Sequence, residues 1–340
     1  MTLEGGWVVE EMFVPADNAT GGNFSVGYIV SHPDHGRAFM KALDYSRTFM
    51  SQDGVVALQA MLNDFVFERD MLALCGDKRL DRVVRALATG QAVVEGAQWP
   101  APYLIFEAAD GDVRAALDAA ADFDTVWVLR VLHHVAVGLQ QLHRERIAHQ
   151  DMKPSNTLIF DGTEGKIADL GCADQQGGVS PRGDYAFAGD PAHAPPELIA
   201  GQVAADWATR RQAADLYHLG SLILFLFTGA ATTPALHEYL LIDQFPRNWS
   251  DPYADLAPYL RNALDQVALD LEATLEGDHA ADLVIMFREL CDPDPERRGH
   301  PRTRAGGGNP YALDRYVTKL DLLARRAGSA ATLLADGPQR

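Results

Sequence analysis

Short apolar runs separated by turn-forming residues dominate the first part of the chain. Residues 7–30 are rich in strand formers and are broken by Asn18-Ala-Thr-Gly-Gly-Asn23. Residues 38–43 follow after the turn His32-Pro-Asp-His-Gly36, so the pattern predicts a hairpin sheet. The period then changes. Leu58, Met61, Leu62, Phe65, Val66, Met71 and Leu72 recur close to helical spacing and Gly76 supplies a stop, which predicts one amphipathic helix over 57–75. The apolar runs 82–87 and 103–107 are short and follow turn-rich stretches; they read as strands completing a small antiparallel sheet around that helix. Past Asp112 helical composition takes over, at residues 115–142, 215–227 and 259–290. The fold class is therefore α+β and bilobal: a β-rich N-terminal lobe (1–109) with one main helix, then a helical C-terminal lobe (110–300). Beyond it, Ala305-Gly-Gly-Gly-Asn-Pro310 predicts a flexible linker, residues 311–326 an amphipathic helix expected to dock on the larger lobe, and the polar end a disordered tail.

Composition narrows the class. With 340 residues, 47% hydrophobic and 22% charged, the chain can bury a substantial core. Its three cysteines, Cys75, Cys172 and Cys291, are odd in number and far apart, which argues against a secreted disulfide framework and for reduced thiols in a cytoplasm. The start, Met1-Thr-Leu-Glu-Gly-Gly-Trp7, lacks the basic and apolar regions of an export signal. The longest apolar run, 219–227, is about half of the ~20 residues a membrane span needs, so no membrane association is expected. A formal net charge of −18 opposes nucleic-acid binding, which draws its affinity from Lys and Arg at phosphates. The oligomeric state is left open.

The densest candidate chemistry lies in His149-Gln-Asp-Met-Lys-Pro-Ser-Asn156, followed after Thr157-Leu-Ile-Phe160 by Ile167-Ala-Asp-Leu-Gly171. Taken alone, Asp, Pro, Ser and Asn together are also what an ordinary turn uses to satisfy its backbone. Further segments in a fixed order favour the functional reading: Phe39-Met-Lys-Ala-Leu43, Phe65-Val-Phe-Glu-Arg-Asp70, Ala194-Pro-Pro-Glu197, Asp215-Leu-Tyr-His-Leu-Gly220 and Asp294-Pro-Glu-Arg-Arg298. Together they resemble the protein kinases, specifically the eukaryotic-like serine/threonine kinases of bacterial type, over about residues 7–300.

The resemblance implies an ATP-dependent enzyme acting on a protein substrate, itself a candidate target, with Mg²⁺ as the metal and Mn²⁺ as an alternative. It casts Asp151 as the base that accepts or orients the substrate hydroxyl and Lys153 as a γ-phosphate contact. Asn156 and Asp169 become the hard oxygen ligands of the metal. Lys41 pairs with the α- and β-phosphates, and Glu68 on the predicted helix is its ion-pair partner. Gly22 belongs to the phosphate loop, Glu107 and Ala109 to the hinge that meets the adenine edge, Phe106 to the gatekeeper position and Leu158 to the pocket floor. Arg298, with Arg297 as the alternative, is expected to pair with Glu197. Lys153-Pro154 resembles the serine/threonine rather than the tyrosine type.

Several positions depart from the family pattern. Thr20-Gly-Gly-Asn-Phe-Ser25 keeps one of its three loop glycines, Gly22. Phe39 replaces a small residue over the adenine while Gly27 replaces a valine beside it, an exchange that offsets volume. Gln150 replaces an arginine that clamps an activation-loop phosphate, and Gln cannot make that charged bidentate contact. Activity independent of phosphorylation at Ser180 or Tyr185 is expected. Asp190 stands where a threonine braces Asp151 and Lys153; a carboxylate there is expected to repel Asp151 and compete for Lys153. Two other readings stay open: a pseudokinase scaffold, and a small-molecule kinase related to the aminoglycoside phosphotransferases, which lack the Asp-Leu-Gly, Pro-Pro-Glu and Asp-Pro-x-x-Arg segments together.

Overall fold

The computed structural model describes residues 1–14, 25–46, 53–94, 99–120 and 123–335. Strands β1 (Val8–Met12), β2 (Ser25–His32), β3 (Gly36–Leu43), β4 (Ala86–Ala92) and β5 (Ala101–Glu107) form a 5-stranded sheet in the order β1-β2-β3-β5-β4, every neighbouring pair antiparallel. Register pairs Gly27 with Lys41, Lys41 with Leu104 and Phe39 with Phe106. Because side chains two apart on a strand share a face, these residues line one side of the sheet. The 24-residue helix α1 (Gly54–Asp77) buries Met61, Phe65, Glu68, Met71, Leu72 and Cys75, a stripe at three- and four-residue spacing.

The run 82–87 does not form the expected strand. Val83 and Val84 are buried between the lobes instead: the Val84 amide donates to the Ile167 carbonyl at 2.8 Å and the Ile167 amide to the Arg82 carbonyl at 2.9 Å. The strand itself starts at Ala86, in a sequence whose small residues and Gly90 hide it. Gly90 is needed there, since a β-carbon would meet the Tyr103 ring Cζ at 2.7 Å.

The larger lobe begins with β6 (Gly111–Asp112) and two helices, α2 (Val113–Ala119) and α3 (Thr125–Arg144), where one helix was expected. Each is started by an aspartate cap: Asp112 accepts from the amides of Arg114 and Ala115, and Asp124 from those of Val126 and Trp127. Strands β7 (Ile147–Ala148), β8 (Thr157–Phe160), β9 (Glu164–Ile167) and β10 (Asp174–Gln175) follow; β6, β8 and β9 form one small sheet, β7 and β10 another. Helices α4 (Pro196–Ile199), α5 (Ala213–Thr228), α6 (Thr232–His237), α7 (Tyr253–Thr274), α8 (Ala280–Cys291), α9 (Pro301–Arg304) and α10 (Asp314–Ala335) complete the lobe. The predicted 259–290 helix is broken after Leu275, where Gly277 takes a φ of 85° that favours glycine. Helix α5 is buried on nearly all sides, including Asp215. Helix α10 lies along α3, burying Tyr316, Leu320, Leu323 and Ala324, with the Val317 carbonyl 3.1 Å from His133 Nδ1.

Candidate active site

The catalytic-loop candidates sit between β7 and β8, and a buried carboxylate holds them from below. Asp215, fully buried on α5, accepts the amides of His149 at 2.8 Å and Gln150 at 2.9 Å. Burial alone would raise its pKa. The hydrogen bond from His143 and the neighbouring imidazoles outweigh that and hold the carboxyl below its ordinary value, so it stays ionised and can accept both amides. The anchoring matters because Gln150 adopts a φ of 68°, a left-handed conformation unfavourable for a residue with a β-carbon. His149 ties this loop to the next segment. Its Nδ1 accepts the Asp151 amide at 3.2 Å, which leaves the proton on Nε2 to donate to the Ala168 carbonyl at 2.9 Å.

Asp151 is then surrounded by donors. Its Oδ2 lies 3.0 Å from Lys153 Nζ and 3.2 Å from Asn156 Nδ2, and its Oδ1 accepts the Asp190 amide at 2.8 Å. Asn156 Nδ2 also reaches the Asp151 carbonyl at 2.7 Å. With its NH₂ used on Asp151, the Asn156 Oδ1 is directed elsewhere. Although burial opposes it, Asp151 and Asp190 raise the Lys153 pKa above that of a free lysine.

On the upper side, Lys41 Nζ donates to both oxygens of Glu68, at 3.0 and 2.9 Å, and lies 3.8 Å from Asp169 Oδ1. Burial works against the Lys41 ammonium, but Asp169 and Glu68 together outweigh it and raise its pKa. Conversely, Lys41 holds the Asp169 carboxyl below the usual carboxylate range. Asp169 has a φ of 63° and accepts the Gly171 amide at 3.4 Å, while the Ala168 amide beside it donates to the Asn156 carbonyl at 2.9 Å. The structure therefore brings Lys41, Glu68, Asp151, Lys153, Asn156 and Asp169 into one cleft between sheet and helices. Its chemistry fits a divalent cation shared with phosphates: one ionised carboxylate and one amide oxygen, with protonated lysines beside them. Among the described residues no group of three or more His, Cys, Asp or Glu could hold a metal unaided.

The remaining candidates are placed less directly. Glu107 uses its side chain on Lys166, at 2.7 and 2.8 Å, and its amide on the Arg85 carbonyl at 3.2 Å, so only its carbonyl can serve a ligand at the hinge. Among the described residues the Ala109 amide makes no hydrogen bond. Leu158 is half-buried on β8, and Gly22 lies outside the described residues. The Phe39 ring covers Gly27, where a β-carbon would stand 2.9 Å from it, and Phe13 meets that ring edge-on at 5.4 Å.

Comparison with known proteins agrees with this geometry. The protein kinase domain model matches residues 22–300. The chain belongs to the protein kinase domain family. It is 30% identical over 199 residues to the serine/threonine-protein kinase PknK of Mycobacterium bovis, an alignment covering 52% of this chain and 17% of that protein. It is 31% identical over 176 residues to a calcium/calmodulin-dependent protein kinase kinase of Caenorhabditis elegans, covering 50% of this chain and 30% of the relative. A 72-residue stretch is 39% identical to the cell division control protein 2 homolog 3 of Trypanosoma brucei brucei, 21% of this chain and 23% of that one. The chain thus spans less than a third of each of these relatives.

Within this kinase domain, Arg298 makes the pairing with Glu197 that the resemblance implies. The two are buried and joined by bonds of 2.8 and 2.9 Å, while Arg297 lies at the surface against Asp292. Asp190 meets one part of its expectation, since its carboxylate competes for Lys153, and differs in its contact with Asp151. It approaches Asp151 with its amide, not its carboxylate; one carboxylate oxygen accepts the Ala192 amide at 2.9 Å, and the other lies 3.6 Å from Lys153, which it shares with Asp151. Sequence reasoning missed four residues here. Gly189 lets the chain pass against Asp151; Arg211 and Asp174 form a buried pair at 2.7 Å; Arg182 spans from Cys172 to Asp64 on α1. Only the run of small residues around Gly189 carried any signal, because the rest depend on contacts distant in sequence.

Proposed function

We propose that this kinase domain transfers the γ-phosphoryl group of ATP to serine or threonine hydroxyls of a protein, with its own chain among the candidate targets. The observation that carries the proposal is the convergence of the Lys41–Glu68–Asp169 chain with the Asp151–Lys153–Asn156 cluster in one cleft. ATP with a divalent cation supplies the transferable group and neutralises its charge when bound. Asp169 and Asn156 would hold that cation, Mg²⁺ or in its place Mn²⁺, and Lys41, steadied by Glu68, would meet the α- and β-phosphates. Leu158, Phe39 and the backbone at Glu107 and Ala109 would enclose the adenine.

Asp151 orients the incoming hydroxyl and takes its proton, while Lys153, 3.0 Å away, balances negative charge beside it. Gln150 makes this a kinase without an arginine before the catalytic aspartate, of the non-RD type. The names of the PknK relatives and the Lys153-Pro154 pair support serine and threonine as acceptors. Cytoplasmic residence is proposed from the free thiols of Cys75, Cys172 and Cys291. Among the described residues no helix is long and apolar enough to cross a membrane.

Incubation with γ-labelled ATP and Mg²⁺ or Mn²⁺, followed by phosphoamino-acid analysis, tests the proposal. Label on serine or threonine that disappears in both Asp151→Asn and Asp169→Ala supports it. No incorporation by a parent protein that still binds nucleotide overturns it in favour of a nucleotide-binding scaffold.

A further inference from the structure

A guanidinium with no solvent exposure lies outside the catalytic cleft and takes no part in the transfer chemistry proposed there. Arg211 belongs to a widened helical turn, Ala208–Gln212, that leads into α5. Such π-turns are rare and are frequently found at functional sites. All five N–H donors of Arg211 have acceptors. Nε meets Asp174 Oδ2 at 2.7 Å, and one terminal nitrogen meets Gln150 Oε1 at 3.3 Å and the Ala186 carbonyl at 3.4 Å. The other meets the carbonyls of Gly183 at 2.8 Å and Tyr185 at 3.2 Å. Gln150 returns the contact, its Nε2 donating to the Arg211 carbonyl at 2.8 Å.

Four of those acceptors, Asp174 and the carbonyls of Gly183, Tyr185 and Ala186, belong to the segment that runs from Asp169 to Glu197, and that segment reaches Asp151 directly through the Asp190 amide. A buried cation so placed fixes 183–186, and with them the approach of Gly189 and Asp190 to the base. The anion that neutralises it is part of the chain. Asp174 is itself buried and takes Trp207 Nε1 at 3.2 Å on its other oxygen. The Ser180 hydroxyl lies 3.5 Å from that same oxygen, so a phosphate on Ser180 would meet a carboxylate and not a cation.

We propose that Arg211 is the positioning residue that sets the activation segment for catalysis, held by Asp174 and Gln150 in an arrangement that requires no phosphorylation. The proposal rests on the kinase reading for its catalytic consequence. It makes Gln150 the acceptor of an arginine delivered from the turn that leads into α5, where an arginine on the catalytic loop would have bound a phosphate.

The test uses the full chain, treated with phosphatase and checked by mass, as parent, Arg211→Met and Arg211→Lys. Trypsin cleavage after Arg182 reads the order of the segment, since Arg182 is engaged by Asp64 and Cys172 when the segment is seated. The parent is expected to resist cleavage there and to be active. Arg211→Met is expected to be cut about tenfold faster or more, with kcat lowered about tenfold or more and affinity for a nucleotide analogue unchanged. Arg211→Lys, which keeps the charge beside Asp174, is expected to recover part of both losses.

Parental kcat in Arg211→Met overturns the proposal, as does a loss of nucleotide affinity equal to the loss of kcat, which would mark a packing role only. Should Arg211→Met not fold, the parent decides alone. Rapid cleavage after Arg182 without phosphate, or activity that appears only after phosphorylation of the segment, overturns the proposal. A parent with no activity sinks the kinase reading separately, and the trypsin comparison still reports whether Arg211 orders the segment.

Discussion

Replacing Gly189 by alanine probes how closely the segment from Asp169 to Glu197 must approach Asp151. A β-carbon at this position would stand 2.5 Å from Asp151 Oδ1, 2.6 Å from the Gln150 carbonyl and 2.9 Å from Asp151 Cβ. The Gln150 carbonyl is main chain, the Asp151 carboxylate is held by Lys153 and Asn156, and the catalytic loop is fixed by Asp215, so it is the segment that must withdraw. Reaching ordinary contact requires a shift of about 0.9 Å, which lengthens the 2.8 Å bond from the Asp190 amide to Asp151 beyond hydrogen-bonding range. A bond to a carboxylate contributes about 1.5–3 kcal/mol, and each 1.36 kcal/mol is a factor of ten in rate, so kcat should fall about 10- to 150-fold. Steady-state phosphorylation at saturating ATP measures this, with calorimetric titration of a nucleotide analogue alongside. Nucleotide affinity should not change, because Lys41 and Asp169 are untouched. An alanine variant with parental kcat would refute the reasoning; so would one whose nucleotide affinity falls in step with its rate.

Arg298→Met, leaving Glu197 buried without its partner, should cost about 3–5 kcal/mol of stability, read as a lowered urea midpoint; an unchanged midpoint would show the pair to be dispensable. Burial pulls the His218 imidazole down to about 3 whereas the unfolded side chain titrates near 6.5. Its stabilising contribution is thus complete above pH 6.5 and lost as pH falls toward 3, by about 2 kcal/mol between pH 7 and pH 5. Urea midpoints at the two pH values should lie closer together in His218→Gln than in the parent, and equal separations would rule the imidazole out as the source. Ser180→Ala and Tyr185→Phe should leave kcat near parental, whereas Ser180→Asp, which sets a second carboxylate against Asp174, should lower it; activation by Ser180→Asp would contradict the arrangement seen here.

What could be read from the sequence was mostly what lies close together along it. Asp151, Lys153, Asn156 and Asp169 sit within one loop, strand and turn, and their fixed spacing carried both chemistry and fold. Lys41 and Glu68 were legible because each lay among apolar neighbours on an element of clear period. Arg211 gave no such sign. In Thr209-Arg-Arg-Gln212 it reads as a solvated helix start, and only the folded chain brings Asp174, from well upstream, to neutralise it. For Asp190 the competition for Lys153 was legible and the approach to Asp151 was not, because a residue name describes the side chain, while the contact it makes with Asp151 comes from the main chain. The split of 115–142 into two helices was available in principle, through the aspartate caps at Asp112 and Asp124. The strand at Ala86–Ala92 was not, because the more apolar residues before it pack between the lobes.

The contact between Gly27 and the Phe39 ring also fixes an order of events in sequence change. Any β-carbon at 27 would collide with the ring at 2.9 Å, so a chain bearing a larger residue there cannot keep phenylalanine at 39 in this position over β2. Trimming position 27 first leaves only a void, a milder fault than overlap in a packed site. The passage between a small-over-large roof and the aromatic one seen here therefore runs through the doubly small intermediate. The reverse passage must vacate 39 before 27 can be refilled.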